Sequence, residues 1–486
     1  MTAASAPHQP NLILITTDQQ RFDTLHCGGA DFMRTPHVDQ LAAEGVRFTN
    51  AYADCPICIP SRTTIMNGRH AFSYGRAFYQ DGVELPVDPR ASLPGILTAA
   101  GYQTQAIGKM HFFPPRARYG FENTLLPERY YETMSQHFRD VGRPMHHGIG
   151  QNEIYPTLAT VPESFTLTAW TVDQCIEFIQ HRDPTAPFFL WCSFGKPHPP
   201  FDPPEPYYSM YRGADLPDEV HSDWSRNAAC PYNIRFGREV RKQDQTSPQL
   251  RRAAREAYYG LVTQIDHHIG RLLGCLNNLQ LRANTGIVFC SDHGDLLGDH
   301  GAWGKVWHLE GSAHIPMVVR FPDTVANRPV NATCATPVTL ADLLPTFGAL
   351  GGAKIPKTID GADLLPFVRG RASRDYLRLE AENQSIALTD GVEKYIWYPW
   401  PGQEHFFDLK KDPYERKNLG PALKNAARLK RWRARAVQHL IDSGRKRADT
   451  WSGLPIVTKP YPSDADIRKV DSTGLHIEGW TYDVLH

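Results

Sequence analysis

The chain has 486 residues, of which 41% are hydrophobic and 21% charged, with 52 basic side chains against 52 acidic ones. That length exceeds one ordinary core and predicts a large α/β domain with a smaller companion. Balanced charge excludes a globally basic nucleic-acid binder, although local Lys, Arg and His can still capture an anion in a cleft. No apolar run approaches bilayer-spanning length. Residues 1–10 have neither a basic n-region nor an apolar h-region, so the expectation is a cytoplasmic protein without signal peptide or membrane partner. The nine cysteines (27, 55, 58, 175, 192, 230, 275, 290 and 334) are odd in number and scattered, which predicts reduced, mostly buried thiols.

In chain order, Asn11-Leu12-Ile13-Leu14-Ile15 is an apolar, β-branched run ending at Thr16-Thr17-Asp18-Gln19, as expected of a strand buried on both faces of a parallel sheet. Ser92 is placed to cap a helix over 93–100, which Gly101 stops before a strand over 102–107. Ala169, Val172, Cys175, Ile176 and Ile179 fall on one face of a helix predicted over 165–181. The design of the first strand recurs where Phe188 to Phe194 is followed by Gly195-Lys196-Pro197-His198. It recurs again where Thr285 to Cys290 is followed by Ser291-Asp292-His293-Gly294. Ligands of open α/β sheets bind at the C-terminal strand ends, so these distant polar clusters are expected to build one site.

Residues 199–247, rich in Pro, Tyr and Trp without clear period, predict an excursion near the cleft, with the aromatics around Phe201 to Tyr232 lining a pocket. Residues 248–279 read as one long helix or two, and 316–321 as a further strand. After about residue 370 short strands such as Lys394 to Tyr398 take over, so the expected division is a catalytic part, 1–370, and a smaller C-terminal part, 371–486. A late helix over 422–442 carries a basic face, expected to be solvated surface.

Cys58-Ile59-Pro60-Ser61-Arg62, closing on Gly68-Arg69, carries the most chemical information. Cys55-Pro56-Ile57-Cys58 also forms a C-x-x-C, which admits a redox or structural-metal pair. A redox pair should open a helix in a small βαβ domain, however, and zinc needs a second matching pair that the other cysteine spacings do not offer. The segment resembles instead the maturation and nucleophile signature of the type I, formylglycine-dependent sulfatases. These belong to the alkaline phosphatase superfamily, and the likeness is to the branch holding arylsulfatases and phosphonate monoester hydrolases. The resemblance extends from about residue 11 to 419. It includes Thr35-Pro36-His37-Val38-Asp39, Asp342-Leu343-Leu344-Pro345-Thr346 and Phe407-Asp408-Leu409. It implies an alkaline-phosphatase-like α/β fold, a large mixed but mostly parallel sheet flanked by helices, with a smaller C-terminal α+β domain.

The resemblance also implies a chemistry. Cys58 would be oxidised by a formylglycine-generating enzyme to Cα-formylglycine, whose hydrate attacks sulfur through one hydroxyl. The other hydroxyl, with His111 as its base, then expels sulfate and restores the aldehyde. Asp18, Gln19, Asp292 and His293, with an oxygen of modified Cys58, would hold one divalent ion; the oxygens favour Ca²⁺, while the imidazole also suits Mn²⁺ or Zn²⁺. Lys109 and Lys305 would hold sulfate oxygens, Arg62 would steady the nucleophile and His198 would touch the leaving-group oxygen, with His198 and Lys305 as candidate acids.

The implied reaction is hydrolysis of aryl or alkyl sulfate monoesters, with a small-molecule or saccharide sulfate ester as partner. Phosphonate monoesters or phosphate diesters are the alternative, because the Asp-Gln with Asp-His combination occurs in that branch and shared machinery does not choose a substrate. An unoxidised chain that merely binds sulfated ligands is the non-enzymatic alternative. The tail beyond residue 445, with Trp451 and Trp480, matches no family landmark. It suits a surface strap or a reach to a neighbouring copy in a homo-oligomer.

Overall fold

The apolar run at 11–15 forms the centre of an eight-stranded sheet. In this computed structural model the described residues are 9–442 apart from 75–81, 142–143, 228, 232–233, 236–237, 239–245, 382–384 and 399–401. The signal-peptide expectation for residues 1–8, Tyr232 and the tail with Trp451 and Trp480 lie outside them. The sheet holds β1 (Asn11–Asp18), β2 (Val46–Phe48), β4 (Gln103–Gly108), β5 (Asn123–Leu125), β6 (Phe188–Pro197), β7 (Thr285–Ser291), β8 (Met317–Arg320) and β9 (Ala332–Cys334), in the order β5-β4-β6-β1-β7-β8-β2-β9. β8 runs antiparallel to β7 and β2, and the other pairings are parallel. Strands β3 (Ala51–Tyr52) and β10 (Val338–Thr339) pair separately.

Burial of both faces explains why β1 shows no polar alternation. Leu12 and Leu14 pack with Ile65, Met66, Leu93, Leu97 and Phe347 on one side. Ile13 and Ile15 pack with Val172, Ile179, Ile265, Ile269 and Leu272 on the other. The first group brings in the helices Cys58–Asn67, Leu93–Ala99 and Leu343–Leu350, and the second brings in Leu167–His181 and Pro248–Asn278. Residues 248–278 form one continuous helix. Ser92 caps its helix as expected, accepting from Gly95 N at 3.1 Å.

Four antiparallel strands follow: β11 (Leu377–Ala381), β12 (Ser385–Thr389), β13 (Glu393–Tyr398) and β14 (Gln403–Asp408). Leu379, Ala387, Ile396 and Phe407 pack against Trp224, Leu296 and Leu309. The opposite face packs under Trp432, Ala436 and Leu440 of the helix Ala426–Asp442. The basic residues of that helix are less solvated than the sequence predicts. Arg428 and Arg431 bind Glu393, Arg433 binds Glu404, and Arg435 lies over the Tyr376 and Trp432 rings. The aromatics after Phe201 also depart from expectation, because Phe201, Tyr211 and Trp224 are core residues with no more than 1% exposure.

Three buried imidazoles in or beside this sheet are pushed by burial down to about 4: His300, His308 and His405. His308 shows why the neutral form fits, with Nδ1 2.8 Å from Ser385 Oγ and Nε2 facing the Asp54 carbonyl at 3.1 Å. Released by unfolding, they regain an ordinary value of 6.5. The unfolded chain therefore takes up protons first as pH falls, so the stability they contribute is full above about pH 6.5 and is lost on the way to about pH 4. The urea midpoint should be clearly lower at about pH 5 than at about pH 7.5, and a midpoint that does not move would contradict the assignment.

Candidate active site

The site forms where β1, β4, β6 and β7 end. Asp18 is the last residue of β1, and Gln19 follows with φ 72°, a left-handed turn that aims successive side chains differently. Gln19 N donates to Asp292 Oδ1 at 3.1 Å, and Asp292 N donates to Thr17 O at 3.1 Å, so the ends of β1 and β7 are tied to each other. Tyr258, from the long helix, donates its hydroxyl to Gln19 O at 2.8 Å. Gly108 ends β4 with φ 93°, where a Cβ would lie 2.0 Å from Ser193 O. That close approach requires glycine and sets Lys109 beside β6.

Cys58 opens the helix Cys58–Asn67, with Pro60 inside the first turn, where a missing N–H costs nothing. Ser61 Oγ donates to Cys55 O at 2.7 Å, holding the approach to the helix. The Cys58 thiol stands 3.2 Å from His293 Nε2, 3.2 Å from Lys305 Nζ and 3.8 Å from Asp18 Oδ1. Arg62, one turn on, sends Nε to Asp292 Oδ2 at 2.9 Å and Nη2 to Asp18 Oδ2 at 3.1 Å. Its Nη1 reaches Lys109 O at 2.5 Å and Ser193 Oγ at 2.8 Å. Lys109 Nζ completes the set on Asp18 Oδ2 at 2.7 Å.

The structure thus brings Asp18, Gln19, Cys58, Arg62, Lys109, Asp292, His293 and Lys305 into one buried cluster. His111 lies close enough to Cys58 to feel its charge, and burial pushes the His111 imidazole down, with Lys109 and Arg62 adding to the effect. His198 is pushed well below the usual range by burial, then by Lys305 and Lys109. Both imidazoles are therefore neutral at rest. By contrast His300, next to Asp299 in the sequence run leading to Lys305, stacks on Trp224 at 4.8 Å and is a core residue. The expected C-x-x-C alternative loses its footing, since Cys58 faces carboxylates, a lysine and an imidazole inside a large-sheet domain.

Asp18, Cys58, Asp292 and His293 each offer a donor atom, and these atoms lie within 4.8 Å of one another with all four residues buried. Burial and the neighbouring Asp18 push the Asp292 carboxyl up despite His293 and Arg62. Two carboxylates, an imidazole and residue 58 fit a divalent cation, and Gln19 Oε1 stands next to them, 2.8 Å from Lys305 Nζ. The cluster is nearly sealed, and Lys109, with a side chain 20% exposed, marks the side on which substrate can arrive. The concavity of about 610 Å³ lined by His70, Asp360, Arg374 and Arg378 lies beyond the far end of the Cys58 helix.

Sequence reasoning passed over the residues that aim this set. Asp295 Oδ2 receives Gln19 Nε2 at 2.5 Å while its Oδ1 takes Leu297 N and Gly304 N. Ser193 donates to Lys109 O at 2.5 Å, and Ser291 donates to His293 O at 2.7 Å. Asp295 and Ser291 lie within two or three residues of His293, and that nearness was the available signal.

Residues 10–353 match the sulfatase family, and residues 298–439 match the C-terminal family described as N-sulphoglucosamine sulphohydrolase. The chain belongs to the sulfatase family. It is 34% identical over 439 residues to an arylsulfatase of Clostridium perfringens, covering 85% of this chain and 90% of that one. It is 28% identical over 434 residues to a choline-sulfatase of Rhizobium meliloti, covering 85% and 82%. Among solved structures, the phosphonate monoester hydrolase of Agrobacterium radiobacter superposes with TM-score 0.77 at 25% identity, covering 89% of this chain and 96% of that one. The protein is accordingly a sulfuric ester hydrolase with the fold of the alkaline phosphatase superfamily. Among the described residues of this sulfatase, no helix is long and apolar enough to cross a membrane.

Arg62 is 1% exposed and holds two carboxylates. Arg62→Met should lower unfolding free energy by about 3–5 kcal/mol, the usual cost of leaving buried charges without their partner. Chemical denaturation measures it, and a loss below about 1 kcal/mol would show the carboxylates are neutralised by other means.

Proposed function

We propose that this sulfatase acts on aryl or alkyl sulfate monoesters through Cα-formylglycine, made from Cys58 by a formylglycine-generating enzyme, with one divalent ion held by Asp18, Gln19, Asp292, His293 and an oxygen of residue 58. The observation that carries the reading is the position of the Cys58 Sγ, 3.2 Å from both His293 Nε2 and Lys305 Nζ in the buried cluster. Sγ stands in for an oxygen of the hydrated aldehyde. Three oxygen-bearing side chains favour Ca²⁺ over Mn²⁺ or Zn²⁺. When present, the hydrate supplies a nucleophilic and a second hydroxyl, and the cation lowers the pKa of the first and offsets the charge of the sulfate.

The chain's own groups divide the remaining work. Lys109 and Lys305 flank residue 58 and hold sulfate oxygens, supplying fixed positive charge where negative charge develops. Arg62 keeps Asp18 and Asp292 in place. His111, neutral and close to residue 58, takes the proton of the second hydroxyl. His198 has Nδ1 2.9 Å from Pro199 O, so Nδ1 carries the hydrogen and Nε2 is the end that meets a substrate. A bound sulfate offsets the Lys305 and Lys109 charges that hold His198 neutral, so substrate binding raises its basicity. A protonated His198 then serves the leaving oxygen, with Lys305 as the neighbouring acid.

The likeness to the phosphonate monoester hydrolase supports a second reading, in which the same machinery takes phosphonate monoesters or phosphate diesters. Saccharide sulfates are a further substrate class, as relatives include an N-acetylglucosamine-6-O-sulfatase of Bacteroides thetaiotaomicron. None of the nine cysteines is in a disulfide, and eight of them are buried, which supports a cytoplasmic home. The antiparallel sheet starting at Leu377 supports a boundary near residue 370 between the catalytic and C-terminal parts.

Cys58→Ala should abolish turnover with the fold intact by circular dichroism, while intact mass of the wild type should show residue 58 as an aldehyde. Wild-type-like rates in the variant would overturn the nucleophile. The mature enzyme should prefer an aryl sulfate to an aryl phosphonate monoester and a phosphate diester in kcat/KM; the reverse order would favour the second reading. His198→Ala should slow sulfates of poor leaving groups by about 10²-fold or more and good ones far less. An equal loss across the leaving-group series would remove its acid role.

A further inference from the structure

The turn that carries His198 lacks backbone donors. In Pro197-His198-Pro199-Pro200 three of four residues have no N–H, so the turn has few backbone donors of its own, and of its carbonyls Pro200 O takes Asp202 N at 3.1 Å. Lys196 supplies what is missing. Its Nζ donates to Pro200 O at 2.6 Å, to His198 O at 3.4 Å and to the Asp202 carboxylate. An ammonium has three hydrogens, and here three acceptors take them.

The far side of Asp202 is held as well. Its Oδ2 faces His147 Nε2 at 3.1 Å, while His147 Nδ1 accepts from Ile149 N at 3.2 Å, which leaves Nε2 as the donor to Asp202. The segment bearing His147 is tied to the same turn, since Thr157 N donates to Phe201 O at 3.0 Å and Ala159 N to Pro203 O at 3.3 Å. The turn also abuts the reacting groups. Lys109 N donates to Ser193 O at 2.9 Å, and a Cβ at Gly195 would lie 3.9 Å from Lys109 Cδ.

We infer that Lys196 is a positioning residue for His198: with Asp202 and His147 it locks the proline-rich turn, so that the His198 imidazole meets the leaving-group oxygen of the ester. It does this without touching substrate. A lysine so near the cleft invites a sulfate-binding role, but its three hydrogens are already committed, and withdrawing it would cost the His198 carbonyl its lysine contact and leave Pro200 O with Asp202 N and the largely buried Asp202 carboxylate with His147. Lys196 thus differs from Lys109 and Lys305, whose contacts are to Asp18, Gln19 and Cys58.

The inference rests on the acid role of His198 proposed above, and the test separates the two. On a series of aryl sulfates of rising leaving-group pKa, Lys196→Ala should reproduce the pattern of His198→Ala. We expect a loss in kcat/KM of about 10- to 100-fold for the poorest leaving groups and little for the best, as a misplacement on the ångström scale produces. The Lys196→Ala/His198→Ala double variant should be no slower than His198→Ala, because a group that acts only through His198 has nothing left to position. Asp202→Asn, which leaves Nζ its two carbonyl acceptors, should show a weaker form of the same pattern and serves as the reading variant if Lys196→Ala does not fold. A uniform loss across the series, or additive losses in the double variant, would overturn the inference. A flat series for His198→Ala would instead remove the acid role itself and this inference with it, whereas a steep series there with a flat one for Lys196→Ala would remove the inference alone.

Discussion

Everything in the catalytic half is organised around one buried guanidinium. Arg62 spans Asp18 at the end of β1 and Asp292 just past β7, and its remaining donors hold Ser193 and the Lys109 carbonyl. Four chain segments far apart in sequence converge on it. A planar group with five fixed donors can make these bonds at once, whereas an ammonium cannot. Because Arg62 lies one turn after Cys58 on the same helix, the contacts that join the carboxylates also place residue 58 above them. Residue 58 and the two carboxylates are therefore positioned by a single rigid device.

The charges around residue 58 are matched in a graded way. Lys109, Arg62 and Lys305 outweigh burial and hold the Asp18 carboxyl well below its usual range, and burial with Lys305 and Lys109 keeps His198 neutral. Lysines beside uncharged imidazoles make a pocket whose positive charge favours an anion. The outer groups do quieter work. Asp295 orients the Gln19 amide, and Lys196 with Asp202 orients the turn bearing His198. Misplacement of a reacting group by an ångström costs as much rate as losing a hydrogen bond, so such aiming residues count in the chemistry.

The C-terminal sheet supports the same site from behind. Glu380 N in β11 donates to Asp54 O at 2.7 Å, and His308 meets the same carbonyl at 3.1 Å, four residues before Cys58. Lys394 in β13, fully buried, pairs with Glu310 at 2.5 Å and Glu415 at 3.0 Å, and Tyr52 donates to Glu310 at 3.0 Å. The approach to the nucleophile thus depends on residues more than 300 positions later. The acid-sensitive imidazoles also lie in or beside this sheet, so loss of packing there reaches the catalytic half.

The amino-acid sequence by itself determined the three central strands, because a strand buried on both faces must be apolar without alternation, as in Leu12 to Ile15 and Ile287 to Cys290. It also determined the residue types that deliver chemistry at their ends. Only the tertiary structure decided which of those groups meet. It sent Phe201, Tyr211 and Trp224 into the core and turned the basic face of the last helix onto Glu393 and Glu404. It also revealed Asp295, Ser193 and Lys196 as the residues that aim the others. The reason is physical: apolar periodicity is a local property of the chain, whereas a buried polar group is defined by a partner that only folding brings within hydrogen-bond distance.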